Sequence, residues 1–512
     1  MQQSLRLTVP KIHVSREGSL YSDPAELGKI LRNLPFADMP SAVLKATNIL
    51  SVINRCQMSY QLRMKLMRAF DVPYGVCHLF YTPQCPEQLG IIRSRSLQEQ
   101  DAFREFTQEM SYGYKQVLVD ALANNDKRRA YHALFGAFYY MSALLMLFYS
   151  VHQIQPLNIW GEMHRLYKLA ENMEWTRSPQ KVITLAKGMT LEWMYKKSLL
   201  MFTADPYHME TSQNWLLNHY LSKWSHCAEI MPFAQDLQHH SSFHIDLNRN
   251  DAISSQINTS TSLEAMRSLV TDNLITTTSR HLDQLHSGVD LHSLGFVLNP
   301  TLQDAEDVLE NAVDHWGQKF KRGEMRSRCN IPCSMTLGLY YCHKEMTQGT
   351  EFKANLPILD GQIIDSSPEG CCLRIPGNPK QDITIGQLVV MTLSRPLMND
   401  GVDTLCGVIR WVSQDRHKGS KIGVKILPGD LRAGFIKSLS GDEIAQRNHP
   451  ALILVSKTSS RDYSIITSTG LYTMGRSYEL HMVAPQRRYL IKANKLLNQT
   501  RALEHFQFQA AH

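Results

Sequence analysis

A chain of 512 residues is longer than one ordinary hydrophobic core supports, so two to four domains are expected. Its composition is 43% hydrophobic, 20% charged and 9% aromatic, which excludes a disordered tail protein, a collagen-like repeat and a small disulfide scaffold. The net charge of +7 is unevenly spread: residues 321–512 hold 25 Lys and Arg against 16 Asp and Glu, and the first 320 hold 29 against 31. A basic C-terminal part suits nucleic acid, a phosphate-bearing ligand, an anionic membrane or an acidic partner, and charge alone does not choose among them.

The first 320 residues read as helices. Asp23-Pro24-x-Glu26 is a capping start, with Asp at the N-cap, Pro in the first helical position and Glu placed to reach back to the cap. Ser96-x-x-Glu99 opens a long run to about Asn124 in the same way. Residues 133–151 form a stretch of 19 without a charge, long enough to span a membrane. Its Tyr, Ser and Gly content and its helical neighbours favour a helix packed on several sides. Trp160-x3-His164-x-Leu166-Tyr167-x2-Ala170 resembles the first helix of a tetratricopeptide unit, but no 34-residue period runs through the half. Ser178-Pro179 precedes a further helical run, residues 236–262 read as a long loop, and Thr301-x-x-Asp304 caps the last helix. A stack of about eight to eleven helices follows from this pattern.

Beyond residue 328 the period changes. IPCSMTLGLYY, GQIID, CCLRI, QLVVMTL, TLCGVIRWV and KIGVKIL are short strands separated by turn residues, as in a small barrel or sandwich. LRAGFIKSLSGDEIAQR reads as a helical interlude, and four further strand-like runs extend to about Ala493. The fold class is α+β and multidomain. A helical, solenoid-like interaction domain over 1–318 precedes a β-barrel domain over 319–435 and a helix-plus-β subdomain over 436–512.

Two patterns carry chemistry. Arg322 and Arg326 form RxxxR, with Arg328 beyond, at the end of the last helix, where Gly323 is a natural terminator. Arginine bonds phosphate bidentately and stacks on rings, although a solvated basic linker has the same composition. Asp365-Ser-Ser367-Pro-Glu-Gly370 is DxSxxG, and its last four residues match a type I turn. A carboxylate accepts only, so it complements the donor edge of guanine, yet an unliganded hairpin turn reads the same way.

Together, RxxxR and DxSxxG some forty residues apart inside a small barrel resemble the PilZ domain, the bacterial receptor for cyclic di-GMP. Gly386-x-x-Val389, Gly407-Val-Ile-Arg-Trp411 and Gly423-Val-Lys-Ile426 are similar to its later strands. The resemblance implies that Arg322 and Arg326 grip the phosphates and stack on guanine, that Asp365 and Ser367 hydrogen-bond a guanine, and that Gly370 permits the close turn. The segment from Cys333 to Leu356 is longer than many PilZ first strands, which leaves the register of Arg328, a further candidate, open. The whole chain resembles the FimW-type group of PilZ receptors through LRNLPFADMP, Ile159-Trp160-x3-His164, Ala204-Asp-Pro-Tyr207 and Leu490-x4-Lys495-Leu-Leu. That resemblance implies a protein partner for the helical domain and a role in surface attachment or type IV pilus control.

Rival assignments are weaker. His239, His240, His244 and Asp246 could be drawn as a metal site but lack metal-ligand spacing, and Cys329, Cys333, Cys342 and His343 alternate along strands. No P-loop, GxSxG or dinucleotide motif is present, so a non-enzyme without a cofactor is expected, its ligand being cyclic di-GMP. A ligand-free PilZ-like scaffold is the first alternative. The second is a nucleic-acid binder, which would need exposed aromatics, whereas Trp411 and Tyr340-Tyr341 fit a core equally well. Nucleic acid and a transmembrane span are therefore not expected. Ten scattered cysteines without a CxxC pair, and an N-terminus without an apolar signal core, suit the cytoplasm, with recruitment to a cell pole or the inner membrane face as an extension.

Overall fold

The computed structural model describes residues 5–13, 21–85, 88, 96–180, 183–233, 241–254, 263–318, 326–347, 356–377, 379, 382–394, 404–415, 418–440, 446–455 and 463–510. The chain divides into two compact units, Met1–Lys321 and Arg322–His512.

Unit 1 holds eleven α-helices among the described residues. They are α1 (Pro24–Arg32), α2 (Met39–Arg55), α3 (Tyr60–Ala69), α4 (Asp71–Tyr81), α5 (Leu97–Ala123) and α6 (Lys127–Tyr149). Then follow α7 (Ile159–Asn172), α8 (Leu191–Thr203), α9 (Thr211–Trp224), α10 (Asp272–His286) and α11 (Leu302–Trp316). The caps explain several starts. Asp23 accepts from the Ala25 amide at 2.8 Å, Ser96 and Glu99 close a reciprocal capping box on α5, and Thr301 accepts from Asp304 at 3.1 Å. Glu26, expected to complete a box on α1, instead pairs with Lys29 at 2.7 Å.

All but the last two residues of the uncharged stretch lie within α6, where long enough apolar sequence meets extensive packing. Leu134, Phe138, Tyr140, Leu144, Leu145 and Tyr149 are buried inside the unit. The Trp160, His164, Tyr167 and Ala170 face of α7 is likewise core rather than repeat surface. His164 bridges the Tyr195 hydroxyl at 2.6 Å and the Asp251 carbonyl at 2.8 Å, and burial pushes its imidazole down to about 4.

Two expectations for this unit are corrected. The helix expected after Ser178-Pro179 begins only at α8, where Thr190 accepts from the Trp193 amide at 3.1 Å. The segment expected as a long loop contains β2 (Ser242–Asp246), which joins β1 (Glu229–Pro232) and β3 (Met266–Val270) in an antiparallel sheet of order β1-β3-β2. A five-residue strand in polar sequence has little local signal, and its pairing with β3 is what forms it.

Unit 2 contains two closed six-stranded barrels. The first comprises β4 (Ser327–Leu337), β5 (Ile358–Ser367), β6 (Gly370–Ile375), β7 (Leu388–Leu393), β8 (Thr404–Asp415) and β9 (Gly419–Leu427), ordered β4-β5-β6-β9-β8-β7. The second comprises β10 (Asp430–Ser438), β11 (His449–Val455), β12 (Tyr463–Thr467), β13 (Ser477–Met482), β14 (Arg487–Gln499) and β15 (Glu504–Ala510). Each has its own apolar core, and a third cluster built from Cys342, Leu388, Val408, Leu452 and Ile466 joins them.

Here too the structure corrects the sequence reading. LRAGFIKS is not helical but forms most of β10, the first strand of the second barrel. Helix formers at Leu431, Arg432 and Ala433 yield to ladder pairing with β11 and β13, and Gly434 fits close to the His481 carbonyl. The run IPCSMTLGLYY breaks at Gly338, whose φ of 85° turns the chain from β4 into α12 (Leu339–Thr347). That helix accounts for part of the added length between Cys333 and Leu356. It also carries Tyr340 and Tyr341 into solvent, so neither is a core residue. The cysteines proposed as ligands diverge: Cys333 lies in the first core and Cys342 in the cluster between barrels. Burial pushes Cys333 up to about 11, and His343 meets the Gly434 carbonyl at 2.8 Å.

Candidate cyclic di-GMP site on the first barrel

The hairpin β5–β6 turns through Pro368-Glu369, and Ser367 pairs with Gly370 across it. The proline presets the turn, and the Ser367 hydroxyl donates to the Gly370 carbonyl at 3.4 Å. Gly370 is extended rather than left-handed, so its role is space. A Cβ there would lie 2.7 Å from the Val424 carbonyl of β9, closer than packing allows. The requirement is close strand approach, and the turn itself rests on Pro368.

Register decides which side chains share a face. Cys371, Leu373 and Ile375 enter the core, so Gly370, Cys372 and Arg374 belong to the outer face. Asp365 pairs with Cys372, and Arg328 pairs with Asp365, which settles the register left open by the sequence. Continuing the row, Cys372 pairs with Gly423 and Gly423 with Trp411. One outer row therefore runs Arg328, Asp365, Cys372, Gly423, Trp411 across five strands.

Arg326 stands just before β4, and its Nη1 donates to Asp365 Oδ1 at 2.9 Å. The pair joins the second arginine of RxxxR to the first residue of DxSxxG. Gly370 is part of the same cluster, since a Cβ on it would sit 3.7 Å from Arg326 Nη2. Around them, Arg374, Lys421 and Lys425 are exposed at outer positions of β6 and β9, giving a largely basic surface with Asp365 within it and Glu369 at the hairpin turn. Arg322 lies outside the described residues, as do His239 and His240 of the drawn metal site. Among the described residues no group of three metal-binding side chains comes together.

Trp411 was not singled out as a site residue. It is half-buried on the outside of the barrel, and Gly423 leaves room for its indole: a Cβ there would come within 1.8 Å of Nε1. The bulge between Ile409 and Trp411 rephases β8 and sends the ring outward. The paired signal in the sequence was a glycine and a tryptophan on adjacent strands, visible only once the register is known.

The comparisons match both units. The N-terminal domain of the cyclic di-GMP receptor FimW matches residues 25–235, and the middle PilZ domain of FimW matches residues 344–430. No curated protein matches the chain. DxSxxG and the Trp411 strand lie inside the PilZ match, while RxxxR lies just ahead of it. With a helical first unit and a PilZ barrel carrying this outer face, the chain belongs to the FimW family of cyclic di-GMP receptors.

Proposed function

We propose that the dinucleotide is held on the outer face of the first barrel by Arg322, Arg326, Asp365 and Ser367, with Arg328 as a further cation. The observation supporting this reading is the 2.9 Å ion pair between Arg326 and Asp365, where the two motifs meet. Both side chains are about a third exposed, at 35% and 29%. A pair so wetted contributes only ~0–1 kcal/mol. Hydrogen bonds to charged groups contribute about 1.5–3 kcal/mol each. Exchanging the pair for a phosphate on Arg326 and a guanine N1–H and N2–H₂ on Asp365 is therefore downhill. Until then, each group keeps the other oriented. Gly370 acts indirectly, holding the hairpin against β9.

Calorimetric titration of the full chain tests the assignment. Arg326→Ala and Asp365→Ala should each weaken cyclic di-GMP binding about ten- to hundredfold, with GTP and cyclic di-AMP as controls. Wild-type affinity in both variants would remove these residues from the site. We further propose that the helical domain passes the signal to a protein partner, in surface attachment or type IV pilus control, at the cytoplasmic side of the membrane or the cell pole. Capture of a partner that changes with cyclic di-GMP, and not in Arg326→Ala, is the expected result. Identical capture with and without ligand would contradict it.

A further inference from the structure

A cavity of about 210 Å³ lies inside the helical unit, far along the chain from the barrel motifs, between α4, α6, α8 and α9. Its walls combine apolar side chains, Trp193, Trp215 and four methionines among them, with polar ones such as Ser142, Asn218 and His219. Lys197 of α8 faces it and is the one lysine or arginine among the described lining residues, which include no Asp or Glu. The Lys197 ammonium donates to Ser222 Oγ at 2.7 Å and lies 5.4 Å from the Trp193 ring centre. Neither contact supplies a negative charge.

Two buried lysines of this unit have carboxylate partners, although the buried Arg63 is held by backbone carbonyls alone. The adjacent Lys196 has Glu192 at 3.5 Å and donates to the Ala228 carbonyl at 2.9 Å. Lys115 has Glu162 at 2.6 Å. Lys197 itself is half-buried and its bond to Ser222 is solvent-exposed, so it offers the cavity a cation with no carboxylate among the described lining residues. Two further polar atoms in the wall have no partner in the structure: Nε1 of the buried Trp215 and Nδ1 of His78. Burial pushes His78 and His219 down to about 4, so both imidazoles are neutral near pH 7, and it pushes Lys197 down to about 7. An anion would restore the charge on Lys197 and accept from the open Trp215 indole N–H.

We propose that this cavity is a second ligand site, binding a small organic monocarboxylate whose hydrocarbon body lies against Trp193 and Trp215 and whose carboxylate pairs with Lys197. One cation balances one charge, whereas a phosphate dianion would carry a second charge that no described lining residue balances. The volume suits a short aliphatic or single-ring acid. The site is independent of the barrel face, and so is its test.

Hexanoate and phenylacetate should bind the full-length protein, followed by tryptophan fluorescence and calorimetry, about tenfold or more tighter than hexanol or hexylamine. Lys197→Met should abolish that preference while leaving cyclic di-GMP binding and the unfolding transition of the helical unit intact, the latter reporting its folding. Ala143→Leu, which fills the chamber, should weaken acid and alcohol alike. Equal binding of acid and alcohol by the wild-type protein, no binding of either acid, capture only of peptides with a free C-terminus, or a preference that survives in Lys197→Met would each overturn the proposal.

Discussion

Arg326 and Gly370 sit side by side yet answer to different forces. The Arg326–Asp365 pair is solvated, so Asp365→Ala should change unfolding free energy by less than about 1 kcal/mol while weakening ligand binding. Gly370→Ala should do the reverse first. Its Cβ meets the Val424 carbonyl, and overpacking of this kind costs about 1–3 kcal/mol, readable as a lower urea midpoint. A Gly370→Ala protein as stable as wild type would show that the strands separate freely there. The motif residues were legible because their spacing lies along the chain. Trp411 was not, because its face depends on a bulge and on a glycine in the neighbouring strand.

Helix ends show how local signals and burial combine. Arg63 of α3 is 1% exposed and donates at 2.8 Å to the carbonyls of Ile53 and Cys56, closing the end of α2. Arg63→Met should cost about 2–5 kcal/mol in denaturant unfolding, because two buried acceptors lose their donor. Near-wild-type stability would mean that water replaces it. At the start of α4, burial pushes the Asp71 carboxyl up to about 7, with the charge of Arg68 offsetting part of the rise. Between about pH 4 and 7 the folded chain then keeps a proton that the unfolded chain has released, so this contribution to stability falls as pH rises through that window. Asp71→Asn should flatten the slope in denaturation midpoints measured at pH 5 and 7.5, and an unchanged slope would rule Asp71 out. Caps such as Ser96-x-x-Glu99 were readable from neighbouring residues. The switch of LRAGFIKS to strand β10 was not, because two partner strands outweigh its helical propensity.

At the scale of the molecule, the helical core runs from Leu27 to Trp316, while the barrel clusters draw on residues from Ile331 onward. Separate cores allow separate unfolding transitions. Cyclic di-GMP at about a hundred times its dissociation constant adds ~2.7 kcal/mol to the unit that binds it. A barrel transition should therefore rise by roughly 5–10 °C in calorimetry while the helical transition stays in place. A shift confined to the helical transition would contradict a barrel site. The basic excess of the C-terminal part belongs to the unit with the proposed phosphate-binding face, in keeping with a doubly anionic ligand.

Periodicity, turn chemistry and motif spacing are local properties. The change from helices to strands, the barrel after residue 328 and the pairing of RxxxR with DxSxxG were accordingly readable along the chain. Two closed barrels in place of one and a remnant, the strand character of β10, the outward indole of Trp411 and the cavity that Lys197 faces are of another kind. Each depends on residues far apart in sequence: strand register rotates side chains between faces, and helices from distant segments enclose the cavity. Those are properties of the packed chain, and they appear only when its distant segments meet.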